Sequence, residues 1–304
     1  MLDKKDFKPV TLADRAFFEN HYALYPQNHS DNTFTSIICW NHFMHYRYAY
    51  VRGNVILVCT AAGVTRLHPP VGPHDPELMR EVIRLALDMG DNNKPLMLIE
   101  PETAKLMKKI DPDLLFIPDL NHFEYVYRAH DLAELLGKKY LKIRNQINKF
   151  RKNYQYSVEP ITPENQKEIM EFLVRWCESK NCEDNFILAH EIEAVFYAIE
   201  HLTDLRLRGL LIRVGLQVSA VSLFERLDSN TAIIHFEKGL PEYDGIYKVI
   251  NAETAAVLAS EVEYINRESD LGVSGLREAK LRYHPHHMVE VYSLKRRTGF
   301  PFVT

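Results

Sequence analysis

From Thr231 to Asn266 the chain places a β-rich run, a glycine-bearing loop, a helical pattern and a second short β-rich run in immediate succession. That order restricts the fold more than any other stretch. Thr231 to Phe236 is strand-like, Val249, Ala252, Ala256 and Ala259 recur at helical spacing, and Glu263 to Asn266 reads as a strand again. Lys238, Gly239, Tyr243, Gly245 and Tyr247 fill the loop between them. The first turn of a helix leaves backbone N–H groups unpaired and carries partial positive charge, so an anionic group can dock there, and glycines let it come close. Lys238 and Lys248 would add full charges to the same mouth. The loop matches neither G-x-x-x-x-G-K-[ST] nor G-x-G-x-x-G, so a plain glycine turn is the competing expectation.

A second glycine-spaced turn runs from Asp270 to Gly275 and leads into about two helical turns, Leu276 to Tyr283. Arg277 and Lys280 stand three apart there and share a face. Two cations beside a turn suit a phosphate or carboxylate. The alternative is a solvated face on which Arg277 pairs with Glu278 or Asp270.

The two halves echo one another. Thr11 in Pro9–Asp14 and Thr162 in Pro160–Asn165 lie 151 residues apart, and each is placed to N-cap a helix. A hairpin follows in each half, Arg47 to Thr60 turning at Gly53-Asn54 and Leu210 to Leu227 turning near Gly215-Leu216. Next come a Gly/Pro loop and a helix, Pro76 to Met89 in the first half and the alanine-rich helix in the second. The halves close on a strand, a helix and a last strand: Leu96–Glu100 then Phe123–Tyr127, against Glu263–Asn266 then Val289–Tyr292. This predicts two α/β domains with mixed sheets, at 1–130 and 156–304, joined by 131–155.

The joint is basic. Seven of the fifteen residues from Lys138 to Lys152 are Lys or Arg and none is acidic. At 100° per residue Lys138, Lys142, Asn145, Lys149 and Lys152 form one stripe and Ile143, Ile147, Phe150 and Tyr154 the opposite one. Such a face is either a solubilising surface at a domain boundary or a surface for a polyanion, a tRNA acceptor stem or an anionic membrane, with Arg144 and Asn148 turned into the cleft.

A formal net charge of −4 over 304 residues argues against wholesale coating of nucleic acid, although it can hide a local basic patch. The longest apolar run, around Val55 to Val64, is about half of the ~20 residues a membrane-crossing helix needs. Met1 to Asp14 is charged throughout and does not read as a secretion signal, so a cytoplasmic location is expected. Cys39, Cys59, Cys177 and Cys182 make no C-x-x-C pair, and buried free thiols are expected. His42 with His45, and His284, His286 and His287, lack carboxylates or cysteines at metal-ligand spacing. No metal site is expected. Ser222 and Ser274 lie outside any G-x-S-x-G elbow.

The segment F-E-K-G-L-x-x-Y-x-G-x-Y from Phe236, I-N-x-E at Ile250 to Glu253, and I-N-R-E-x-D-L-G-x-x-G-L-R-x-A-K-x-x-Y-x-P from Ile265 to Pro285 together resemble the catalytic domain of phosphatidylglycerol lysyltransferases and their soluble relatives. The Arg144–Phe150 helix fits the same pattern. The resemblance implies two tandem domains of the acyl-CoA N-acyltransferase (GNAT) type, also seen in Fem-type peptidyltransferases. It implies transfer of an activated acyl or aminoacyl group, with aminoacyl-tRNA or acyl-CoA as co-substrate and no permanently bound cofactor. Acyl transfer needs positioning, removal of the acceptor's proton and stabilisation of the tetrahedral oxyanion. On this reading Asp270 meets the aminoacyl ammonium or acts as base, and Arg277 and Lys280 hold a phosphate. Lys238, Gly239, Tyr243, Gly245 and Tyr247 line the donor loop, and Asn251, Asn266 and Arg267 belong to the same substrate-binding set. The lysyltransferases carry a long membrane-spanning region ahead of this domain, so a lipid acceptor does not follow. The Q/R-x-x-G-x-G/A loop of acetyltransferases is missing, which disfavours acyl-CoA. A non-catalytic nucleotide- or RNA-binding module is the third alternative.

Overall fold

The computed structural model describes residues 2–89 and 94–295. The first part of the chain forms β1 (Lys8–Pro9), α1 (Arg15–Leu24), α2 (Phe34–Cys39), α3 (Asn41–Met44), β2 (Arg47–Val51), β3 (Asn54–Ala61), β4 (Val64–Leu67), α4 (Pro76–Met89), α5 (Pro101–Ile110), β5 (Leu115–Pro118), β6 (Glu124–Arg128) and α6 (Ala129–Glu134). The remainder forms α7 (Leu141–Asn153), β7 (Tyr156–Pro160), α8 (Gln166–Lys180), α9 (Phe186–Glu200), β8 (Arg208–Val214), β9 (Gln217–Arg226), β10 (Thr231–Gly239), α10 (Ile246–Leu258), β11 (Tyr264–Asn266), α11 (Ser274–Leu281), β12 (His287–Val289) and β13 (Tyr292–Lys295). No helix among the described residues is long and apolar enough to cross a membrane.

The chain divides into two compact units. One comprises residues up to 29, 40–123 and those from 289 on; the other comprises 30–39 and 124–288. The first unit holds an antiparallel sheet in the order β1-β2-β3-β4 and a separate antiparallel pair, β5 with β13. Its core packs Leu78, Val82 and Ala86 of α4 against Ile56, Leu67, Leu96 and Leu294. The β2–β3 turn sits at Arg52-Gly53, one residue earlier than the sequence suggests, because both residues take positive φ (49° and 76°) and Asn54 already pairs with Val51. That is the backbone a tight hairpin requires.

The second unit is built on a seven-stranded sheet in the order β12-β6-β11-β10-β9-β8-β7. β10 and β11 run parallel, and their flanking pairs β6–β11, β9–β10, β8–β9 and β7–β8 are antiparallel. Helices α6, α7 and α10 share one core cluster with this sheet, in which Ile143, Ile147 and Phe150 of α7 meet Ile246, Val249 and Ile250 of α10. Residues 131–155 fall within the second unit, and their apolar face is part of its core.

Both threonines cap as their spacing predicts: Thr11 with Asp14, and Thr162 with Asn165, form reciprocal capping boxes. The closing strands depart from the boundaries at 130 and 156. β6 pairs with β11 in the second unit's sheet, and β13 pairs with β5 in the first unit. Strand character can be read from each run, but its partner is set by the sheet edge that is open to it.

Candidate active site

The parallel pair β10–β11 lasts for three residues, Thr231↔Tyr264 to Ile233↔Asn266. Beyond it β10 bulges between Ile234 and Phe236 and stays with β9 as far as Gly239, whereas the other chain leaves the sheet at Arg267. The two strands part, and polar side chains occupy the gap. Glu237 accepts from Arg267 Nη2 (2.6 Å) and from Asn251 Nδ2 (3.1 Å). The guanidinium of Arg267 lies between two rings, 4.9 Å from the centroid of Tyr283 and 5.8 Å from that of Tyr127. Lys248, on the first turn of α10, reaches to 5.6 Å from the same Tyr283 ring. Burial, followed by repulsion from Arg267, pulls its pKa below that of an ordinary lysine. Glu237, Lys248 and Arg267 are each partly exposed, so the gap opens to solvent. Several buried polar atoms in it lack a partner: Arg267 Nε and Nη1, Tyr283 Oη, Asn251 Oδ1 and Ser222 Oγ.

Behind the gap stands a clamp made of the three residues expected to be catalytic. Asp270 is fully buried and its carboxylate is saturated: Arg277 donates from Nε (2.8 Å) and Nη2 (2.9 Å), Tyr125 Oη donates at 2.5 Å and Gly272 N–H at 2.8 Å. Burial alone would raise the Asp270 pKa, but the bonds from Arg277 and Tyr125 more than offset it and hold the group below the usual range. Lys280, 7% exposed, donates to the carbonyls of Arg267 (2.5 Å), Glu268 (3.0 Å) and Ser269 (2.6 Å). Burial and then Arg267 push its pKa down to about 8. The turn it gathers is a strained one, with Glu268 and Leu271 both at positive φ. These bonds of Asp270, Arg277 and Lys280 tie the 267–272 turn to α11 and to Tyr125 of β6. The turn that they hold begins at Arg267, which Lys280 grips by its carbonyl.

The donor-loop residues also divide. Lys238 turns to α8 and α9, where it pairs with Glu191 (2.6 Å) and lies 4.6 Å over Trp176, so it does not join Lys248 at one mouth. Tyr247 Oη accepts from Trp176 Nε1 (2.9 Å), and Tyr243 stacks edge-on with Tyr154. A Cβ at Gly239 would meet Ile246 at 2.8 Å. Gly245 has φ +93° and a Cβ there would sit 2.8 Å from the carbonyl oxygen of Gln146. The N-terminus of α10 is therefore packed beneath α7, and the glycine admits a neighbouring backbone where a ligand was expected. Asn266 donates to Glu124 (2.6 Å) and accepts from Glu268 N–H.

On α7, Lys142, Asn145, Lys149 and Lys152 are exposed as the period predicts, with Lys138 just ahead of them. Lys149 pairs with Asp244 (2.7 Å), which reduces the free charge of the stripe. Arg144 donates to the Leu135 and Gly137 (2.7 Å) carbonyls at the end of α6, and Asn148 is exposed, so neither turns inward.

A second polar network escaped the sequence. His235 is bonded to Glu225 from Nε2 (2.9 Å) and to Glu268 from Nδ1 (2.8 Å). Burial disfavours its charged form, yet the two carboxylates prevail and raise its pKa to about 10. The available signal was a His set between apolar residues in the strand Thr231–Gly239.

The sequence matches the family described as phosphatidylglycerol lysyltransferase, C-terminal, over residues 22–295. The chain belongs to this family. A conserved protein of unknown function from Bacteroides thetaiotaomicron is 30% identical, with a TM-score of 0.87 over 96% of this chain and 99% of that one. L-PGS from Bacillus licheniformis is 16% identical, with a TM-score of 0.63 over 95% and 94%. A tandem GNAT protein from the clavulanic acid biosynthesis pathway is 12% identical, with a TM-score of 0.51 over 97% and 99%. The last two are likenesses of fold, and the fold of this family member is GNAT-like mixed α/β.

Proposed function

We propose that the protein is an aminoacyltransferase that moves an aminoacyl group from aminoacyl-tRNA to an amine- or hydroxyl-bearing acceptor in the gap between β10 and β11. The observation that carries this is the parting of the parallel pair around Glu237, Arg267 and Asn251 in a member of a lysyltransferase family. The acceptor's oxygen or nitrogen attacks the ester carbonyl, the carbon–oxygen bond to the tRNA ribose breaks, and the ribose oxygen takes a proton. Glu237 is the carboxylate available in the gap to hold the aminoacyl ammonium or to receive the acceptor's proton. Arg267 fixes Glu237, and the Asp270–Arg277–Lys280 clamp fixes Arg267 as positioning residues. Lys138, Lys142 and Lys152 offer the tRNA acceptor stem an exposed basic edge. An acyl-CoA donor is disfavoured because α7 covers the N-terminus of α10, where a pyrophosphate would find its amides. A cytoplasmic location fits a tRNA donor.

The test is transfer of label from radiolabelled aminoacyl-tRNAs to lipid extract, peptides and small metabolites. Wild type should transfer and Glu237→Gln should lose about 10²–10⁴-fold in kcat. No transfer, with ester loss no faster than in buffer, would overturn the reading and turn attention to acyl-CoA and to a binding module.

A further inference from the structure

Among the described residues, four donors around Tyr283 have no acceptor to match them. Arg267 is bonded through Nη2 to Glu237, but its Nε–H and Nη1–H are buried without a partner, and the phenol of Tyr283, only 3% exposed, is likewise unpaired. The ammonium of Lys248 has no carboxylate within ion-pair distance among the described residues and lies over the same ring. Glu237 is one negative charge against Arg267 and Lys248, with Arg282 also close enough to repel Lys248. Buried donors left unmatched in native proteins are few and costly, and a cleft with surplus positive charge pays for it in desolvation. An oxyanion relieves both.

We propose that Arg267, Lys248 and Tyr283 form a binding site for a phosphate group carried by one of the substrates. The donors come from three elements: the segment after β11, the first turn of α10 and the segment after α11. They are a guanidinium edge, an ammonium and a phenol, with the first two 4.9 and 5.6 Å from the centroid of the third's ring. A tetrahedral phosphate can use all of them, whereas a planar carboxylate fills the guanidinium edge alone. Arg267 lies over the Tyr283 ring, and binding would exchange its two unpaired N–H groups for charge-assisted bonds. The inference uses the acyl-transfer reading only to say that the occupant is a substrate; the site itself stands on the unmatched donors.

Binding is measured by isothermal titration with inorganic phosphate, glycerol 3-phosphate as a lipid-headgroup source and adenosine 3′,5′-bisphosphate as a nucleotide source, each against chloride at equal ionic strength. Phosphate-bearing probes should bind and chloride should not, and the tighter of the two esters names the source. Lys248→Gln and Tyr283→Phe should each weaken binding roughly tenfold or more, while Lys109→Ala, an exposed residue of α5 in the first unit, leaves it unchanged. Both variants keep the core apolar contacts and are checked for wild-type thermal midpoints. Equal affinity in wild type and both variants, or a chloride response equal to that of phosphate, overturns the site. Phosphate binding without any aminoacyl transfer sinks the transferase reading and leaves the site standing. Transfer that is indifferent to phosphate and to both substitutions does the reverse.

Discussion

Lys280 illustrates how a charge can serve position alone. Its ammonium holds three consecutive carbonyls, so Lys280→Met removes that donor from Arg267, Glu268 and Ser269, of which Glu268 still accepts from Tyr125 N–H. The expected cost is about 2–4 kcal/mol in urea unfolding, with the m-value retained. His235 sets a pH dependence. Its folded pKa of about 10 exceeds its unfolded value, so the folded state binds the extra proton. The stability from its bonds to Glu225 and Glu268 is fully present below about pH 6.5 and is lost as pH rises through about 10. Thermal midpoints should fall across that window, and His235→Gln should flatten the slope. A profile unchanged by the substitution would contradict a buried imidazolium. Neither role is visible in sequence. A lysine three residues from an arginine looks like surface until the turn folds back over it, and His235 becomes charged only when Glu225 and Glu268 arrive from other segments.

Among the elements, α7 was read well because period needs only local information, whereas in the stripe read for α10 Ala256 is exposed and Ala259 lies beyond the helix end. Ile143, Ile147 and Phe150 are buried where the 3.6 repeat places them. The capping boxes at Thr11 and Thr162 are equally local. The contact between the two helices is not, and it governs Gly245. A side chain there faces both a left-handed φ and the Gln146 carbonyl, so Gly245→Ala should destabilise by roughly 1–3 kcal/mol. The α7 basic edge has its own expected outcome. Lys142→Ala with Lys152→Ala should make the dependence of log K for tRNA binding on log salt shallower by close to two contacts, while Lys149→Ala, already paired with Asp244, should change it least. An unaltered slope in the double variant would remove the polyanion surface.

At the scale of the whole molecule, each unit takes the closing strand that the sequence assigns to the other domain. A fragment of residues 156–304 lacks β6 and α7, and with them the neighbour of β11 and much of the shared core. It should be insoluble or lack near-ultraviolet circular dichroism, whereas the full chain unfolds cooperatively.

By itself the sequence determined the caps, the hairpins, the amphipathic face of α7, membership of a family through motifs that survive as a linear string and most of the order of helices and strands, the exception being Leu96–Glu100, which makes only isolated bridges at Leu96 and Ile99 where a strand was expected. These depend on neighbours a few residues apart. Only the tertiary structure decided which sheet edge β6 and β13 join, that Asp270, Arg277 and Lys280 close on their own turn, and that Glu237, Lys248, Arg267 and Tyr283 share one cleft. Those depend on where hydrogen bonds and charges find partners once distant segments are packed, and a buried donor has no partner until the backbone that supplies it is in place.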